Sequence, residues 1–105
     1  MAQFDVYPNP SKLQRADIPC MVDIQSDLLS ALPTRLMVPL ASRKHMLAAL
    51  PRALCPPVQW EGHSLVALPH MAAAFRVKDL GTSQGNLRSK ASELVGALDA
   101  VISGV

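Results

Sequence analysis

Apolar and polar residues alternate from the start of the chain. Phe4 and Val6 interleave with Gln3, Asp5 and Tyr7, a period of two that predicts a first strand over residues 3–7 with one buried face. Pro8, Asn9, Pro10 and Ser11 then remove a donor and favour turns, so residues 8–17 read as a loop. Residues 18–24 return to β-type side chains, with Cys20, Val22 and Ile24 on one face and Met21 and Asp23 on the other. After a turn at residues 30–34, residues 35–40 form a short apolar strand, which Pro39 should confine to an edge or an end.

Residues 41–50 carry two signals. Ser42 can cap a helix bearing Met46, Leu47 and Leu50, but Pro51 would end it below the length at which helices are stable alone. Residues 57–60 and 64–68 flank Glu61-Gly62-His63 and predict a β-hairpin, the glycine supplying a positive φ. Pro69 and His70 make another turn. Residues 73–80 read as a last strand, Phe75 and Val77 sharing a face, closed by Gly81. From residue 84 to residue 102 the period changes: Leu87, Ala91, Leu94, Val95, Leu98, Val101 and Ile102 form one apolar stripe, with Arg88, Lys90, Glu93 and Asp99 off it. This predicts a terminal amphipathic helix capped by Thr82 or Ser83 and followed by a short tail. The pattern is mainly β (α+β), in a single domain over residues 1–105.

Composition narrows the function. Half of the residues are hydrophobic and 17% are charged, which excludes the disordered class. Aromatics make up only 4%, so the few large rings matter more, and Phe4 and Trp60 are expected as core anchors. Net charge is +2, but the basic residues are scattered and form no face for direct nucleic-acid binding. Residues 1–10 lack the basic and apolar regions of a signal peptide, and no apolar run approaches membrane-span length, so a soluble cytoplasmic protein is expected. Cys20 and Cys55 lack C-x-x-C spacing and are expected to be buried and reduced. His45, His63 and His70 show no zinc spacing, so neither metal nor cofactor is expected. No nucleophile motif or phosphate-cradling glycine loop is present, and nothing in the residues argues for catalysis.

Four colinear segments resemble the CcdB family of toxins from type II toxin–antitoxin modules: Met1-Ala2-Gln3-Phe4-Asp5-Val6-Tyr7, Val22-Asp23-Ile24-Gln25-Ser26-Asp27-Leu28-Leu29, Arg35-Leu36-Met37-Val38-Pro39-Leu40-Ala41-Ser42, and the C-terminal helix ending in Gly104-Val105. The resemblance implies a homodimer built on an SH3-like small barrel with an extra small sheet and a C-terminal helix, in which residues 41–50 are turn and extended chain. It also implies a gyrase inhibitor that is not an enzyme: such proteins bind the A subunit of DNA gyrase, trap it on cleaved DNA, and are neutralised by a CcdA-type antitoxin.

Carried over residue by residue, the gyrase-binding set is Leu28, Leu29, Asp99, Ile102, Ser103, Gly104 and Val105. One position departs from the family. Its tail is aromatic-Gly-aliphatic, with a tryptophan as the large anchor, whereas Ser103 precedes Gly104-Val105 here. That departure leaves open a diverged homologue that keeps the dimer and the antitoxin contact with little toxicity. A further alternative is an endoribonuclease resembling MazF and Kid, which share the SH3-like dimer. It would recruit Arg35, Asp23 and His63 for acid–base work.

Overall fold

The computed structural model describes residues 2–43 and 54–104. Among the described residues seven antiparallel strands form one curled sheet: β1 (Asp5–Pro8), β2 (Cys20–Asp23), β3 (Thr34–Ser42), β4 (Pro57–Trp60), β5 (His63–Ala67), β6 (Ala73–Arg76) and β7 (Gly85–Asn86). The strand order is β4-β5-β3-β2-β1-β7, with β6 also pairing with β3. The single α-helix among the described residues, α1 (Ala91–Ser103), follows. The architecture is mainly β with a curled half-barrel sheet and a C-terminal helix, the class that the sequence indicates. Among the described residues no helix is long and apolar enough to cross a membrane.

Sheet register explains which alternating residues are buried. Val6 pairs with Val22, Val22 with Val38, and Cys20 with Leu40, so these side chains share one face. They form the main core with Phe4, Ile24, Val58 and Leu65, covered by Leu94 of α1. The other face of the same strands is buried as well. Tyr7, Met21, Met37 and Leu80 form a second cluster there, with Phe75 packed against it. Beside this cluster Asp23 and Arg35 are 0% and 1% exposed. The expectation of one buried face on the first strand is therefore corrected. Its second face is covered because β6 and the Leu80 turn fold over it.

Pro39 lies on β3, the most central strand, and not at an edge as expected. Leu68 N–H donates to Pro39 O at 2.9 Å, so the Pro39 nitrogen points to the same side of β3 as its carbonyl. On that side β6 pairs only with Thr34–Met37 and β5 only with Leu40–Ser42. The missing donor thus falls at the junction of two partner strands. The Leu68 carbonyl is taken by Met71 N–H at 2.9 Å instead.

Trp60 and Gly85 lie on opposite edge strands, β4 and β7, and yet they touch. A Cβ added at Gly85 would sit 2.6 Å from the Trp60 ring. Gly85 has φ +150°, a conformation that side chains disfavour. One indole resting on one glycine therefore closes the curl without a backbone ladder. Phe4 and Trp60 both pack in the main core as expected, Trp60 only partly buried. Phe4 reaches it from the left-handed region, φ 71°, with its N–H donating to Asp23 O and its carbonyl accepting from Leu87 N–H. That conformation costs about 1–2 kcal/mol, and it starts β1 at Asp5 and not at residue 3.

Two further expectations are corrected. The terminal helix begins at Ala91 and not at residue 84, because Gly85 is not helical and the free edge of β1 captures the segment. Gln84 N–H donates to Val6 O, and Leu87 N–H donates to Phe4 O. Thr82 and Ser83 consequently cap nothing; Ser83 bonds only Gly85 backbone, and Lys90 occupies the cap without a side-chain bond. The last predicted strand stops at Arg76, and a 3-10 turn at Val77–Asp79 carries Leu80 into the second cluster. The hairpin is present as predicted, with Glu61 and Gly62 at positive φ. Ala41 and Ser42 extend β3, while residues 44–50, where the helix and extended readings diverged, lie outside the described residues. Cys20 and Cys55 are both free and buried, in different clusters.

Two outcomes follow from this packing. Gly85→Ala should lower the unfolding free energy by about 2 kcal/mol or more, since both the φ and the indole contact resist a side chain; urea denaturation measures it. Alkaline stability should also decline from about pH 9. Burial pushes the Cys20 thiol from 9.0 up to about 12. Burial, reinforced by the charges of Asp5 and Asp23, pushes the Tyr7 phenol from 10.0 to about 12. The unfolded chain releases these protons first, so stability is full below pH 9 and is lost as pH rises toward 12. Cys20→Ala should make the decline shallower between pH 9 and 10 in denaturation curves normalised to pH 7.

Candidate functional site

The segment Gln25-Ser26-Asp27-Leu28-Leu29 begins one residue after the end of β2, with Ile24 between, and is organised around the buried ion pair. Arg35 Nε donates to Asp23 Oδ2 at 2.7 Å, and Arg35 Nη2 donates to the Gln25 carbonyl at 3.2 Å. Asp23 Oδ1 accepts from Gln25 N–H at 3.0 Å. Burial raises the Asp23 pKa above the usual carboxylate range, and the Arg35 hydrogen bond opposes that rise.

The Gln25 carboxamide spans the turn. Its oxygen accepts from Leu36 N–H at 3.0 Å, and its nitrogen donates to Leu29 O and Thr34 O, both at 3.1 Å. Ser26 Oγ accepts from Leu28 N–H, and Asp27 Oδ1 accepts from Gln3 N–H at 2.9 Å. A single 3-10 turn, Asp27–Leu29, results. It has no buried residue: Leu28 is 94% exposed and Leu29 is 49% exposed.

The other candidate residues lie at the end of α1. Leu94 and Ala97 bury the first half of the helix, whereas residues 101–104 are exposed, Ile102 at 76%. Ser103 Oγ bonds back to Asp99 O at 2.7 Å, satisfying a carbonyl in the last turn. Gly104 at φ +75° donates its N–H to Ala100 O and stops the helix. Asp99 is exposed and stands near the negative end of the helix dipole, and the last turn of the helix carries no basic residue. Val105 lies outside the described residues. The predicted site residues thus form two exposed patches, an apolar pair on a hydrogen-bonded turn and a mixed set at a helix end where Ile102 is the large apolar side chain. Gln25 and Asp27 were legible in the sequence as polar turn residues, but their reach to Gln3, Leu36 and Thr34 was not.

The acid–base set required by an endoribonuclease is not brought together. Asp23 and Arg35 are sealed from solvent and taken up by each other and by the turn at residues 25–27. His63 is exposed on β5, which joins β3 only at Leu40–Ser42. Seven residues along β3, roughly 23 Å, separate that end from Arg35. His63 lines a surface cleft of about 630 Å³ with Arg15, Arg43, Ser42 and Ser64, and no carboxylate among the described residues lines it. Among the described residues no cluster of three histidine, cysteine or acidic side chains could hold a metal ion.

No curated protein matches the chain. The CcdB protein family matches residues 3–104, which include both exposed patches up to Gly104 and the ion pair beneath the first. With nearly its whole length matched, the chain belongs to the CcdB family.

Proposed function

We propose that this protein is the toxin of a type II toxin–antitoxin module. It binds the A subunit of DNA gyrase and traps it on cleaved DNA, and it is neutralised by a CcdA-type antitoxin. It acts as a cytoplasmic homodimer and by protein binding, without catalysis. The contact residues are Leu28 and Leu29 on the turn, and Asp99, Ile102, Ser103, Gly104 and Val105 at the end of α1. Family membership over residues 3–104 carries this reading. The two patches support it physically. A leucine 94% exposed on a hydrogen-bonded turn does nothing for the fold, yet burying it against a partner would contribute about 1.5–3 kcal/mol. Asp99 likewise opposes the helix dipole, a small cost to the monomer that a partner donor would offset.

Ser103 favours a second reading, a diverged toxin that keeps the dimer and the antitoxin contact but poisons gyrase weakly. Its hydroxyl is turned back onto the Asp99 carbonyl and offers no large apolar surface where the family carries tryptophan.

Two experiments test these readings. Ser103→Trp adds roughly 150–250 Å² of ring surface and should strengthen inhibition of gyrase supercoiling by tenfold or more. Equal inhibition by both forms, or nanomolar poisoning by the natural chain, would show that Ser103 is not a weakened anchor. A peptide from the C-terminal region of the antitoxin should bind the natural chain more tightly than the gyrase A subunit does, because an ordering segment wraps a wide surface and needs no single anchor. Calorimetry showing no binding at tens of micromolar would count against the toxin–antitoxin assignment.

A further inference from the structure

We infer that Gln25 is the positioning residue of the turn that presents Leu28 and Leu29, an assignment that rests on the functional reading above. Its carboxamide spends its oxygen on Leu36 N–H and both nitrogen hydrogens on Leu29 O and Thr34 O. Its backbone N–H and carbonyl are held by Asp23 and Arg35. One residue therefore ties the exposed turn both to the entry of β3 and to the buried ion pair.

Nothing apolar can perform this task. The turn Asp27–Leu29 has no buried residue, and Leu32 beyond it is also exposed. The order of the segment is therefore set by hydrogen bonds. The Ser26 contact is local, and Asp27 reaches the N-terminal segment through Gln3 and β3 only through a 3.8 Å ion pair with Arg35, whereas the Gln25 carboxamide makes hydrogen bonds across the mouth of the turn to Thr34 and Leu36 of β3. A turn fixed before encounter loses little further freedom on binding, so its two leucines meet the partner already placed.

The discriminating variant is Gln25→Glu. A carboxylate keeps an acceptor for Leu36 N–H but has no hydrogen to give Leu29 O or Thr34 O. Amide exchange across residues 28–32 should accelerate by about tenfold, and affinity for the gyrase A subunit should fall by about tenfold, with the denaturation midpoint little changed. Gln25→Met, uncharged and of similar length, should reproduce both effects and separates them from the added charge. In a Leu28→Ala, Leu29→Ala background the loss of affinity on Gln25→Glu should disappear, because Gln25 acts through those side chains. A purely structural role would instead lower affinity equally in both backgrounds. Unchanged gyrase affinity in Gln25→Glu and Gln25→Met overturns this inference alone. Absence of gyrase binding by the natural chain and by Ser103→Trp overturns the functional reading itself, whatever the exchange rates show.

Discussion

The Asp23–Arg35 ion pair is the constraint on which the rest of the arrangement depends. Two charges removed from water each carry a desolvation penalty of several kcal/mol, and 2.7 Å contact with further hydrogen bonds offsets it only if the geometry is held. Here the remaining capacity goes to the Gln25 backbone on both sides, while Arg35 Nη1 has no partner among the described residues. Removing either partner would strand the other, so the pair fixes the end of β2 against the start of β3. The turn between them is fixed as a consequence.

That pair sits on the second face of a sheet buried on both sides. The main core lies on one face under α1, and Tyr7, Met21, Met37 and Leu80 lie on the other. Trp60 against Gly85 then joins the two edges of the curl. The sheet accommodates two irregular positions without losing its curl. Pro39 stands at the junction of β5 and β6, and Gly85 stands under a ring.

The candidate contact residues lie where this core ends. The exposed leucines stand on a turn tied to the ion pair, and the exposed end of α1 runs past its last buried residue, Ala97. Both elements are anchored at their base, by hydrogen bonds or by buried side chains, and exposed at their tip. Such an arrangement suits protein binding, since apolar surface stays available without loosening the fold. It suits acid–base chemistry poorly, because the charged pair is sealed and His63 lies at the far end of β3.

Alternation and helical period in the sequence determined the strand-rich class, the hairpin at Glu61-Gly62 and the terminal helix, because these depend on neighbours within a few residues. Four colinear segments also made the family legible. Tertiary structure alone decided the burial of Tyr7, Met21 and Asp23, since alternation cannot show that a second layer covers the opposite face. It decided that residues 84–87 pair with β1 although Leu87 continues the helical stripe, since a free sheet edge outweighs a weak local preference. It decided that Pro39 is central, because the gap opposite its nitrogen arises from two strands distant in sequence. The site divides in the same way. Leu28 and Ile102 were named from sequence, but the hydrogen bonds from Gln25 to Leu36 and Thr34 exist only once β2 and β3 are side by side, where long-range pairing brings the donor to its acceptors.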